Sequence, residues 1–165
     1  MITPLFMLLI LFPETRHTSI DPSHRYEVSW REATNEQPHQ LTFRKIPAGS
    51  KTLVRNFDRS VEVLWSPSGN SFLVTDHEGS DSSRVYVYNS SVPNTPHELR
   101  AELPTSVARA LAESHHAYLP ASKWLDDSAV LLRAHGYGDT QRRGFDVHVR
   151  CGRKDGVWFC VSLVR

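Results

Sequence analysis

Apolar and polar residues alternate with a period of two along most of this chain, the pattern of strands that show one face to a core and the other to water. Eleven such runs stand between clusters of Gly, Pro, Asn, Asp and Ser: residues 26–33, 40–46, 51–57, 61–65, 71–76, 84–88, 98–103, 117–124, 129–134, 145–151 and 157–164. One segment departs from that period. TSVARALAESHH, Thr105 to His116, follows Pro104 and repeats apolar residues at Val107, Ala110 and Leu111, which predicts a helix capped by Thr105 or Ser106.

Internal repetition orders the strands. Aligning Trp65 with Trp124, with a one-residue gap, places Phe72 on Val130, His77 on His135 and Asp81 on Asp139. Each copy reads as strand, turn, strand, long polar loop, strand, strand. A third and degenerate copy precedes them, in which YEVSWREA, QLTFRKI and KTLVRNF supply the last three strands without an introductory tryptophan.

The turn that opens the clearest copy, WSPSGNSFLV from Trp65 to Val74, resembles the W-S-P-D-G-x-x-[IL]-[AV] turn of TolB-type and WD-repeat-like β-propeller blades. WLDDSAVLL, Trp124 to Leu132, resembles the looser form found in propeller domains of peptidases. The physics of the residues agrees: Pro67 presets φ at a turn position, Gly69 permits a positive φ, and Trp65 can cover the apolar face of the hairpin. Ser68 stands where the family has Asp, and two or three units are fewer than the four blades of the smallest ordinary propeller. The expectation is an all-β fold: an antiparallel meander of two to three propeller-like four-stranded units, with one short helix between the last two. These units form an open stack of small sheets, or merge into one twisted sheet pair, and their terminal edges need a cover.

Length changes this picture little. At 165 residues and 18.8 kDa the chain suits one domain, taken as residues 20–165. Nineteen basic against eighteen acidic residues leave a formal charge of +1, which excludes both a nucleic-acid footprint and a polyacidic tail. Residues 1–19 matter more. Ile2 to Phe12, ITPLFMLLILF, has the length of a secretory h-region and is too short to span a bilayer, so no transmembrane helix is expected. No Lys or Arg precedes the run and no small-x-small site follows, so a buried N-terminal segment is the alternative to export. The cysteines bear on the same question. Asp155-Gly156 predicts a two-residue hairpin turn that pairs Lys154 with Val157. Counting outward sets Cys151 opposite Cys160 as a non-hydrogen-bonded pair, about 4.5 Å apart at Cα, within reach of a disulfide. Such a bond persists in an oxidising compartment; two reduced, packed cysteines are the alternative.

Candidate chemistry lies in two matched loops, Asp76-His77-Glu78-Gly79-Ser80-Asp81 and His135-Gly136-Tyr137-Gly138-Asp139, where a histidine precedes an aspartate by four positions. Equivalent placement predicts loops on one edge of the array, with His77, Glu78, Asp81, His135, Tyr137 and Asp139 as ligand-binding candidates. Hairpin-loop composition accounts for many of these residues on its own. His115-His116 reads as a cation at the helix C-terminus, His148 as a solvent-facing or satisfied half-buried strand residue, and Asp126-Asp127 as turn chemistry. Arg142-Arg143, with Arg133 and Arg150, reads as a solvated face or an anion contact. No nucleophile elbow, P-loop, H-E-x-x-H or C-x-x-C is present, and neither a cofactor nor a metal set is expected. These readings converge on a secreted or periplasmic, non-catalytic binding or scaffolding module that engages a protein or glycan through its loops or a sheet edge. The rivals are a metal-dependent or His/Asp hydrolase, and an accessory fragment that completes a larger propeller, in the cytoplasm or outside it, by docking on another chain or on itself.

Overall fold

The computed structural model describes residues 15–31, 38–138 and 144–163, so Ile2 to Phe12, Asp139 and Arg142-Arg143 lie outside the described residues. The alternating runs fold into three antiparallel sheets, each ordered as the chain runs. The first holds β1 (Arg16–Ile20), β2 (Tyr26–Arg31), β3 (His39–Lys45) and β4 (Thr52–Phe57). The second holds β5 (Ser60–Trp65), β6 (Ser71–His77), β7 (Arg84–Asn89) and β8 (Val92–Glu98). A 3-10 turn (Leu99–Glu102) and helix α1 (Thr105–Ala112) lead to the third: β9 (His116–Tyr118), β10 (Ala121–Asp126), β11 (Ala129–Tyr137), β12 (Phe145–Lys154) and β13 (Val157–Leu163). This is the expected meander, with its helix between the last two units.

One turn recurs. In the second sheet Gly69 N–H donates to Ser66 O at 2.9 Å and Ser66 N–H to Ser71 O at 2.9 Å, with Gly69 at φ 71°. In the first, His24 N–H donates to Asp21 O at 2.9 Å and Asp21 N–H to Tyr26 O at 3.1 Å, with His24 at φ 56°. The degenerate copy therefore owns its opening hairpin, built on Asp21-Pro22-Ser23-His24, and the first sheet begins at Arg16 with a strand absent from the sequence reading. Trp65 and Trp124 also repeat a role. Each pairs directly with the apolar residue across its hairpin, Phe72 and Val130. Each then donates its indole N–H to the preceding sheet: Trp65 Nε1 to Ser19 Oγ and Trp124 Nε1 to Leu64 O, both at 3.0 Å.

Three expectations need correction. Residues 98–103 are not a strand: Leu99 and Leu103, four apart, are buried by the 3-10 turn, and the last strand of the sheet is β8, whose Pro93 and Pro96 an edge position tolerates. Helix α1 stops at Ala112 instead of running to His116 and has no side-chain cap from Thr105 or Ser106, Pro104 holding the N-cap position. His116 therefore caps no helix; it opens β9. The run 117–124 is cut before Pro120 into β9 and β10, which lie along the same edge of β11.

The core sits between the sheets. Even residues of β6 and β7 (Phe72, Val74, Tyr86, Tyr88) meet Val28, Leu41, Phe43 and Phe57 of the first sheet. Odd residues (Leu73, Val85, Val87) meet Val130, Leu132 and Val149 of the third, with Val107 and Leu111 of α1 beside them. The middle sheet is thus buried on both faces, which is why SFLVTD reads as an unbroken buried run. At the far end of the third sheet Asp155 and Gly156 take positive φ of 53° and 85°, the two-residue hairpin turn, and Cys151 is bonded to Cys160 with Cα atoms 4.0 Å apart.

Candidate functional site

A platform of four rings forms where the second and third sheets share an edge. Strand β9 reads His116-Ala117-Tyr118 and the end of β11 reads His135-Gly136-Tyr137. Antiparallel pairing sets His116 opposite Tyr137, Ala117 opposite Gly136, and Tyr118 opposite His135. Because side chains alternate along a strand, all four rings fall on one face, and directly opposed residues stack. His116 and Tyr137 have centroids 4.3 Å apart, Tyr118 and His135 5.1 Å, and His116 and Tyr118 6.4 Å along the strand. His116 Nδ1 lies 3.4 Å from the Tyr118 hydroxyl. The middle residues must be small: a Cβ on Gly136 would lie 2.9 Å from both the Phe145 ring and Ser114 Oγ.

The 78–83 loop of the second sheet braces this platform along the edge of β9 away from β11. Ala117 N–H donates to Asp81 O at 2.7 Å, Leu119 N–H to Ser83 Oγ at 2.8 Å, and the Tyr118 hydroxyl to Ser80 O. Burial raises the Tyr118 phenol above its ordinary value, Tyr137 and Asp81 pushing the same way, so it stays protonated and donates. His135 Nδ1 is screened from solvent and has no hydrogen-bond partner among the described residues. Tyr137 is 48% exposed, so the open side of the platform is its outer ring.

The six candidates from the sequence divide. His135 and Tyr137 are platform members, and Asp81 contributes its backbone carbonyl. His77 faces its own sheet, with Nε2 3.3 Å from Glu62 Oε1, and Glu78 pairs with Arg84 at 2.9 Å. Asp139 is outside the described residues. The 78–83 loop and the end of β11 flank β9 on its two edges. His116 and Tyr118 were missed, although a signal existed: two H-x-Y triplets with a small residue in the middle, which antiparallel pairing turns into two His/Tyr contacts. His148, half-buried, lines a groove of about 580 Å3 between α1 and the ends of β12 and β13, together with Ser106, Val107, Asp146 and Leu163.

A second polar cluster is structural. Arg55 Nε donates to Asp76 Oδ2 at 2.7 Å and Nη2 to the Tyr86 hydroxyl at 2.9 Å, with the guanidinium 3.8 Å from the Tyr86 ring centre. Burial would make Arg55 less basic, but Tyr86 and the Asp76 charge hold it above its ordinary value; burial raises Asp76, which Arg55 pulls back. The pair lies between the first two sheets and ties them. Among the described residues no three His, Cys, Asp or Glu side chains are grouped to hold a metal ion, and no helix is long and apolar enough to cross a membrane.

Comparison with known proteins bears on the fold. No family model matches the chain, and no curated protein matches its sequence. Among solved structures it is similar to part of a prolyl endopeptidase, with TM-score 0.55 and 8% identity over 92% of this chain and 22% of that one. It is also similar to part of TolB from Acinetobacter baumannii, with TM-score 0.48 and 13% identity over 88% of this chain and 32% of that one. The chain thus spans about a third of one neighbour and about a fifth of the other. The fold is propeller-like: three blade-type sheets stacked face to face.

Proposed function

We propose that the protein is an exported, non-catalytic binding module, and that the His116/Tyr118/His135/Tyr137 platform receives its ligand. The observation that carries this reading is the convergence of two H-x-Y strands into a stacked, partly exposed ring surface braced by a loop of the neighbouring sheet. Aromatic faces pack against the C–H face of a sugar or a flat protein side chain, while imidazole and phenol groups hydrogen-bond the hydroxyls or amides at its rim. The chemistry suits recognition better than turnover. Ser114, the hydroxyl nearest Gly136 in space, donates to Ala110 O at 2.8 Å instead of to a histidine, and His77 is engaged by Glu62. The disulfide and the apolar N-terminal run support a location outside the cytoplasm.

The test is a glycan array and a peptide array probed with the intact oxidised protein, followed by backbone-amide NMR titration of any hit. Expected are shifts clustered at 116–118 and 135–137 that vanish in Tyr137→Ala while the fold persists. Shifts centred elsewhere, or binding unchanged in Tyr137→Ala and His116→Ala, would remove the platform from the function.

A further inference from the structure

We infer that β13 is a self-pairing edge, through which two copies of this chain join antiparallel about a two-fold axis at Cys160. An open sheet edge offers unpaired N–H and C=O groups, and natural proteins blunt such edges with charges, prolines or bulges. The other edges here are blunted: β1 carries Arg16 and His17, β4 Arg55 and a register shift against β3, β5 Glu62, β8 Pro93 and Pro96, and β10 Lys123 and two register shifts. Strand β13, VWFCVSL, has none of these, and no described strand pairs with its outer edge. The 3-10 turn lies near β13, and its buried Leu99 shares a core cluster with Trp158, on the strand face opposite the odd-numbered residues. Those odd-numbered residues, Val157, Phe159, Val161 and Leu163, remain 66%, 44%, 46% and 42% exposed.

The register makes the edge complementary to itself. Lys154 and Val157 flank the hairpin turn, so hydrogen-bonded and non-bonded pairs alternate from there, and Cys151 and Cys160 are a non-bonded pair. The N–H and C=O groups of Trp158, Cys160 and Ser162 therefore point away from β12, toward the free edge. Two-fold pairing centred on Cys160 joins Trp158 to Ser162 of the second copy and Cys160 to its own equivalent. On the exposed face it sets Val157 opposite Leu163 and Phe159 opposite Val161, each apolar residue against another.

Charge selects this occupant over a sheet face. Arg150 and Lys154 sit across from Val161 and Val157 on β12, and Lys123 lies farther along the row through Leu131. Stacking two copies face to face, or setting this face on the first sheet, where the described residues Arg16, Arg31, Arg44 and Lys51 stand against Glu27, would oppose cations. Edge pairing instead separates the two Arg150 rows by three strand spacings, about 14 Å, beyond the screening length of about 10 Å at 0.1 M salt. Arg133 is neutralised by Asp146, and Asp126 turns onto Ser128, so neither opposes the contact. His148 lies across from Leu163, beside the stripe. A single-strand contact buries less than the about 800 Å2 per partner of a stable complex, so the dimer forms with a Kd on the order of 100 μM.

Sedimentation velocity on the intact oxidised chain, at concentrations spanning that value, tests the pairing. The mass should rise from 18.8 kDa toward twice that value. Mixed isotope labelling should show Hα contacts between residue 159 of one copy and residue 161 of the other. Ser162→Pro removes an N–H that faces only the free edge, leaving the β12 ladder whole, and should abolish the dimer; Val161→Lys should do the same by placing a cation against Phe159. A monomer at every concentration overturns the inference. So does a dimer that survives Ser162→Pro but not Val161→Lys, which would assign the contact to the sheet face.

Discussion

The two interfaces that bury the middle sheet are built from different chemistry. Against the first sheet it presents rings: Phe72 lies 5.8 Å from Phe43, 4.9 Å from Tyr88 and 5.0 Å from Trp65. That interface also encloses the Arg55–Asp76 ion pair. Against the third sheet it presents Leu73, Val85 and Val87 to a mainly aliphatic cluster that includes Val130, Leu132, Val149 and α1. The first interface is a set of fitted rings around an ion pair, and the second an aliphatic contact joined by hydrogen bonds such as Trp124 Nε1–H to Leu64 O. Orientation-dependent contacts specify how two sheets sit, whereas aliphatic area chiefly contributes stability.

Mutations that break the comparison should differ in kind. The largest effect is expected from Phe72→Ala, which empties a fully buried site touching three rings and should cost about 3–5 kcal/mol in denaturant unfolding. Leu73→Ala, on the opposite face of the same strand and equally buried, should cost about 2–5 kcal/mol without altering the environment of Trp65. A Phe72→Ala loss below 1 kcal/mol would mean that the first two sheets are not packed as described.

Next comes Arg55→Met. It leaves the Asp76 carboxylate buried without its counter-charge and should cost about 3 kcal/mol. Adding Asp76→Asn should recover much of that loss, a coupling with no counterpart at the aliphatic interface. Additive effects of the two substitutions would contradict the tie.

The smallest effect is a difference in pH dependence. Arg44, hydrogen-bonded to Glu27, holds that carboxyl below its ordinary value. Its contribution is therefore present above the unfolded value of about 4.3 and is lost as pH falls through the lower folded value. Asp76, raised by burial, runs the other way, favouring the fold below its unfolded value and losing that contribution as pH rises through the folded one. Glu27→Gln should flatten the acid limb of stability against pH, and Asp76→Asn should reduce the loss on the rising side. Parallel curves for wild type and both variants would count against these assignments.

What could be read from the sequence follows the same divide between local and non-local causes. The Asp155-Gly156 turn, the pairing of Cys151 with Cys160, and the Ser66-to-Gly69 turn are set by neighbours in sequence, and each was legible. Strand β1 was not, since RHTSI is an edge strand with little buried surface and so shows no apolar alternation. Strand β8 hid behind its two prolines. The ring platform depends on a strand broken at Pro120 and on the register of β9 against β11, a pairing that bridges 17 residues or more, so only half of its members were singled out.

Native-state hydrogen exchange tests the central claim most directly, that the middle sheet is buried on both faces and joins three stacked blades into one cooperative unit. Amides of Phe72 to Thr75 and Val85 to Tyr88 should exchange last, at the free energy of global unfolding, with those of the first and third sheets no slower. Protection in the first or third sheet that outlasts the middle one would show that the blades open independently, and would contradict the account.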